Sequence, residues 1–170
     1  MALPRVQPVV PTRRKEPFDH ADWLFDVKYD GFRALCHVEP GRPRFSSRNG
    51  HPLDRFTDLA AEVASVLNVG EAILDGEVIV ADATGRPQFY DLLRGRLAPA
   101  YVAFDLLWID GVDLRPKPLS ERRAVLRGAA GGLADDRRGG VGRGPQARAL
   151  RADVRARPRR DRGEAARRSL

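Results

Sequence analysis

Apolar side chains thin out abruptly after Leu126, and that break decides how much of the chain can fold. Residues 127–170 contain no Phe, Tyr, Trp, Ile or Lys and consist mostly of Arg, Gly, Ala and Asp. Ordering a residue costs ~1–2 kcal/mol, which a segment with so little apolar surface cannot offset, so a disordered tail is predicted. Its composition also resembles GC-rich coding sequence read out of frame, as expected of a tail that was never selected as an arm. At the other end, residues 1–19 carry prolines at 4, 8, 11 and 17 with little apolar periodicity, which predicts an extended lead-in. The core of this 170-residue chain must therefore come from residues 20–126, enough for one ordinary domain.

The formal charge of +7 divides as +2 over residues 1–19, −3 over 20–126 and +8 over 127–170. The expected body is thus mildly acidic, and the basic character that suggests nucleic-acid binding is concentrated in the tail. Only Lys15, Lys28 and Lys117 are lysines, so any lysine chemistry has three candidates. The lone Cys36 cannot close an intramolecular disulfide, and no Cys/His spacing suits structural zinc; a reducing compartment is expected. The N-terminus lacks a signal pattern, and no apolar run approaches the ~18 residues that span a bilayer, so the expectation is a soluble, cytoplasmic protein without membrane contact. His20, His37 and His51 show no ligand-like spacing and read as structural or solvent-facing.

Within the body, Trp23-Leu24-Phe25-Asp26-Val27 and residues 32–38 are β-like runs separated by the tight Lys28-Tyr29-Asp30-Gly31 segment. A short strand over Arg44–Ser47 leads into the turn signal Arg48-Asn49-Gly50. Phe56, Leu59, Ala60, Val63 and Leu67 fall at i, i+3, i+4, i+7 and i+11, the stripe of a helix with one buried face. Residues 72–80 predict a strand with a bulge at Gly76. A short helix is expected over Phe89–Arg94, a strand over residues 101–109 ending at Asp110-Gly111, and a last helix with Ser120 as N-cap and Glu121 in its first turn, ending at Leu126.

The loop lysine carries the most specific chemistry. An amine attacks a phosphate only when deprotonated and held in line, which requires desolvation or nearby positive charge. Gly31 allows a tight turn and close approach to a ligand, Asp30 can orient the loop, and Arg33 can reach a phosphate or ribose. Taken alone, the tetrapeptide reads more readily as a surface lysine in a hairpin, since four-residue patterns recur by chance. Likewise Arg48 alone is a solvated turn residue, Glu77 an exposed strand residue and Phe104 a core residue. No Walker A pattern is present, since no lysine follows a glycine.

Their common order changes that reading. Phe25-Asp26-Val27-Lys28-Tyr29-Asp30-Gly31-Phe32-Arg33 resembles motif I of the ATP-dependent DNA ligases, and Ser46-Ser47-Arg48-Asn49-Gly50 resembles motif Ia. Leu74-Asp75-Gly76-Glu77-Val78 is similar to motif III, and Tyr101-Val102-Ala103-Phe104-Asp105-Leu106-Leu107 to motif IIIa. The resemblance covers about residues 20–126 and is closest in flavour to bacterial ligases of end-joining repair. It implies an α+β fold of mainly antiparallel sheets flanked by helices, resembling the ATP-grasp-like adenylation domain and incomplete at its C-terminus.

The resemblance further implies that Lys28 attacks the α-phosphate of ATP, carries AMP, passes it to a DNA 5′-phosphate, and that a 3′-hydroxyl then seals the nick. Arg33 and Arg48 match contacts to the nucleotide, Glu77 the acid at the ribose and near the metal, and Phe104 the aromatic stacked on adenine. Asp26 stands where relatives have a glutamate that helps hold the base. Mg²⁺ is implied by the charge of ATP, held mainly by the nucleotide. Nicked or broken double-stranded DNA, and other end-joining repair domains or proteins, are the implied partners. The family's later E-G-x-V-x-K and K-x-K elements need lysines, and none follows Lys117. A truncated chain that ligates poorly or not at all is therefore expected, since each lost donor at a reacting phosphate commonly costs ~10²-fold. Two alternatives stand beside it: an RNA-capping or RNA-ligase nucleotidyltransferase, and a non-enzymatic basic fragment binding nucleic acid by counterion release.

Overall fold

A computed structural model describes residues 3–10, 15–16, 18, 26, 28–82 and 86–131, and the backbone of 151–152. Strands β1 (Phe32–Val38), β2 (Arg44–Ser47), β3 (Ala72–Ile79), β4 (Ala100–Ile109) and β5 (Val112–Asp113) form a sheet in the order β2-β1-β3-β4-β5. Every one of these neighbours is antiparallel. Helices α1 (Thr57–Val66), α2 (Phe89–Arg94) and α3 (Leu119–Ala129) join them. The α+β, antiparallel expectation holds. The predicted strand at residues 23–27 lies outside the described residues except for Asp26.

Alternation along the strands separates two faces. Ala34, Cys36, Val38, Leu74, Val78 and Tyr101 enter one cluster with Leu59, Ala60 and Val63 of α1 and Leu126 of α3. All five residues of the predicted helical stripe, from Phe56 to Leu67, are buried, each aliphatic side chain contributing roughly 1.5–3 kcal/mol. The opposite face carries Arg33, Asp75 and Glu77 beside a small cluster of Leu35, Ile73 and Leu107. Leu3 and Val6 of the lead-in pack on that cluster, so the extended segment is docked on the sheet, which its composition did not announce.

Several expectations need correction. The register between β3 and β4 shifts twice, and the residues without a partner are Phe104, opposite the Asp75–Gly76 step, and Leu107, opposite the Ile73–Leu74 step; both irregularities lie in β4 and not in the strand of Gly76. Gly76 is small for another reason: a Cβ there would sit 2.4 Å from the Val102 carbonyl oxygen and 2.5 Å from the Tyr101 ring. Helix α3 starts at Leu119 with Pro118 as N-cap, so Ser120 lies inside the helix, and it runs to Ala129 rather than Leu126. Proline suits that start because its fixed φ is ready for the helix. The tail is not wholly outside the fold: besides the end of α3, β6 (Arg151–Ala152) pairs in parallel with Val102 and Ala103, using backbone groups on the edge of β4. The β4–β5 hairpin turns at Asp110 (φ 42°) and Gly111 (φ 85°), two left-handed residues as a two-residue hairpin loop requires.

His37 is structural, as expected, and gives a measurable pH signature. Its Nε2 shares a 2.8 Å hydrogen bond with Ser46 Oγ, while Nδ1 has no partner among the described residues. Burial, then the Arg44 charge, pushes the imidazole from its ordinary 6.5 down to about 4. The folded state thus binds this proton less readily than the unfolded state, so stability is complete above pH 6.5 and falls as pH drops towards 4. The loss should approach roughly 3 kcal/mol in urea titrations, and His37→Gln should flatten the slope. A variant with the same slope as the parent would contradict this account.

Candidate functional site

The segment preceding β1 reaches the sheet through Gly31. A Cβ at this position would lie 2.2 Å from the Val78 carbonyl oxygen and 3.0 Å from Glu77 Cγ, so only glycine lets the chain cross β3 this closely. The sequence pointed to close approach to a ligand; the observed approach is to a neighbouring strand. The Gly31 amide donates to the Glu77 carboxylate, which burial pushes up and the Lys28 and Arg33 charges pull down. Glu77 also faces Arg33 directly in the β1–β3 register. Lys28, Asp30, Arg33 and Glu77 therefore form one electrostatic group.

Lys28 itself differs from expectation. Its side chain is 88% exposed and its ammonium lies 3.1 Å from Asp30 Oδ1. Among the described residues, the charged groups that face it are the carboxylates of Asp30 and Glu77.

Arg33 is held from below. Its Nε and Nη2 donate to the two oxygens of Asp75 at 3.1 and 2.7 Å, and Asp75 is only 1% exposed. Burial raises the Asp75 carboxyl above its ordinary range, opposed by Arg33, and the same hydrogen bonds raise Arg33. The guanidinium carbon lies 5.5 Å from the centroid of the Phe104 ring. Phe104 occupies one of the β4 bulges, where the ladder leaves it unpaired with β3. The next residue, Asp105, accepts two bonds from Arg122 at 2.8 and 2.7 Å.

Asp26 is held by an arginine of α3. Both of its carboxylate oxygens accept from Arg123, one at 2.9 Å, and Arg123 Nε also donates to the Phe104 carbonyl at 2.8 Å. Arg48 stands apart from this group, exposed in the turn after β2. It lines a groove of ≈ 770 Å³ with the lead-in, His37 and Ser46, and none of Lys28, Arg33, Glu77 and Phe104 lines that groove.

The structure thus brings Lys28, Arg33, Glu77 and Phe104 together, ties Asp26 to them through Arg123, and leaves Arg48 outside. Sequence reasoning missed Asp75, Asp105, Arg122 and Arg123 as members. For Arg123 a signal existed: it sits at i+4 on the stripe Leu119, Leu126 and Ala130, where an apolar residue would be expected, and it is buried there. Among the described residues no three His, Cys, Asp or Glu side chains gather into a metal site. Asp75 is taken by Arg33 and the exposed Asp30 by Lys28, which leaves Glu77, half-buried and accepting from the Gly31 amide, as the remaining carboxylate of the group. That donor set fits a Mg²⁺ ion that keeps water and phosphate ligands, not one caged by protein. No helix among the described residues is long and apolar enough to cross a membrane.

Comparison with known proteins agrees with the motif order. Residues 12–131 match the family described as the ATP dependent DNA ligase domain. The chain is 38% identical over 122 residues to the multifunctional non-homologous end joining protein LigD of Pseudomonas aeruginosa, covering 68% of this chain and 14% of that protein. It is 32% identical over 152 residues to DNA ligase C of Mycobacterium tuberculosis, covering 80% of this chain and 42% of the relative. A structure of mycobacterial DNA ligase D complexed with ATP and MES superposes with a TM-score of 0.54 at 32% identity, covering 63% of this chain and 36% of that one. The ligase domain of M. tuberculosis LigD gives a TM-score of 0.53 at 29% identity, covering 62% of this chain and 36% of that one. The chain spans less than half the length of each of these relatives.

Proposed function

The chain belongs to the ATP dependent DNA ligase domain family, and from that membership we propose that it carries the nucleotide-transfer half of a DNA ligase acting in end-joining repair, with Lys28 as the residue that takes AMP. The observation that supports this reading best is the grouping of Arg33, Glu77 and Phe104 on one face of the sheet, beside the Lys28 segment.

In this reaction Lys28 Nζ leaves Asp30, passes a proton to the surrounding water and, as the free amine, attacks the α-phosphate of ATP. A P–N bond forms, the bond to pyrophosphate breaks, and pyrophosphate departs. Phe104 offers a ring for the adenine base, with Arg33 fixed against it by Asp75 so that little ordering is required when the nucleotide arrives. Glu77 would accept from a ribose hydroxyl and would be the carboxylate available to Mg²⁺ bound with the phosphates. Mg²⁺ supplies neutralisation of the triphosphate charge. Asp26 contributes to the base end in the geometry that Arg123 imposes. Arg48 takes part only if the β2 turn approaches the nucleotide. AMP then passes to a 5′-phosphate of nicked or broken duplex DNA, and the partners are that DNA and other end-joining repair domains. A cytoplasmic location follows from the same reading, since ATP and a reduced Cys36 thiol coexist there.

Incubation with α-labelled ATP is the test. The expected result is a covalent, acid-labile adduct that maps to the Lys28 peptide, is reversed by pyrophosphate, and does not form with labelled GTP. An adduct from GTP would instead support a capping-type enzyme. The absence of any adduct under conditions that support ATP binding would reject adenylation by this chain.

A further inference from the structure

We propose that Arg123 is a positioning residue that sets the purine end of the site by holding Asp26 and Phe104 in fixed relation to each other. The inference rests on the nucleotide reading above.

Three of the five guanidinium donors are spent on two segments far apart in the chain. Nε goes to the Phe104 carbonyl, and Nη1 and Nη2 go to the Asp26 carboxylate. One partner lies two residues before Lys28, and the other is the bulge residue whose ring meets Arg33. A bulge lacks the ladder contacts that hold an ordinary strand residue, so its orientation depends on what its carbonyl finds. Arg122 and Arg123, consecutive on α3, take the consecutive residues Asp105 and Phe104 and fasten the bulge from outside the sheet. Arg123 is only 5% exposed and stands in an apolar stripe. Stability alone does not call for an arginine there, because well-packed apolar residues often replace a buried ion pair without loss. The fork explains what an apolar side chain could not do: fix the direction of the Asp26 carboxylate and the Phe104 backbone at once.

The test compares Arg123→Met, Arg123→Lys, Asp26→Asn and the Arg123→Met/Asp26→Asn double variant in the full chain. Self-labelling by ATP gives KM and the limiting rate, and inorganic tripolyphosphate serves as a competitor that occupies only the phosphate end. Arg123→Met and Asp26→Asn should each raise KM for ATP by about 10- to 100-fold, the scale of a misplaced binding group, with a smaller change in limiting rate. Inhibition by tripolyphosphate should be unchanged, Arg123→Lys should recover part of the loss, and the double variant should be no worse than the worse single one. Circular dichroism identifies variants that do not fold; if Arg123→Met is among them, Asp26→Asn and Arg123→Lys decide. An unchanged KM in folded variants, or equal weakening of ATP and tripolyphosphate, would overturn the inference while leaving the nucleotide reading intact. A parent chain that ATP does not label would overturn both.

Discussion

Substitution of Lys28 by alanine is expected to remove covalent labelling by ATP altogether, to below ~10⁻³ of the parent, because no other group in the site can form the phosphoramide bond. The sequence makes this an unusually clean experiment, since Lys15 and Lys117 are the only other lysines. Lys117 lies before α3, where its carbonyl accepts from Arg122, well away in sequence from the Gly31 crossing. Replacing Lys15 or Lys117 by alanine should leave the adduct in place. Lys28 is 88% exposed, and its ion pair among the described residues is the surface one with Asp30, so its removal should cost well under ~1 kcal/mol of stability. The loss of labelling would then be chemical and not a consequence of unfolding. An adduct that persists in Lys28→Ala at the parental level would end the assignment of this residue.

How far the sequence disclosed this arrangement follows from the range of each interaction. The α1 stripe was legible because its five apolar positions recur at helical spacing across the helix and the residues that flank it, and all five are buried. The strands around Cys36, Leu74 and Leu106 were legible from β-branched and aliphatic runs. The one expected bulge was misplaced because a glycine in a strand marks a tight spot without saying which strand holds the extra residue. That answer comes from Tyr101, whose ring occupies the space over Gly76 and whose single hydroxyl proton is shared between the carbonyls of Ala34 and Leu74. The docking of Leu3 and Val6 depends on Leu35, Ile73 and Leu107, residues no local pattern connects to them. At the site, the motifs disclosed Lys28, Arg33, Glu77 and Phe104 by order alone. Asp75 lay inside a recognised motif without an evident task, because its task is to hold Arg33 across two strands.

The same tight spot supplies the second large effect. Gly76→Ala is expected to destabilise the body by about 3 kcal/mol, a large fraction of the ~5–15 kcal/mol that holds an ordinary domain together, because the added methyl meets atoms that cannot withdraw. One obstacle is the Val102 carbonyl oxygen at 2.4 Å, part of the sheet backbone; the other is the Tyr101 ring at 2.5 Å, fully buried against Phe45 at a centroid distance of 4.8 Å. Moving Tyr101 would also cost its hydroxyl two carbonyl partners at 3.0 and 3.2 Å. Gly128 provides the opposite case within the same chain. It lies inside α3 with no atom within 4 Å of a built Cβ, so alanine there should add about 0.5–1 kcal/mol through helix propensity. Urea unfolding of the two variants should therefore shift in opposite directions from the parent. If Gly76→Ala unfolded at the parental urea concentration, the β4 bulge and the packing of Tyr101 beneath the site would both be wrong. The platform on which Phe104 and Arg33 stand would have to be redrawn with them.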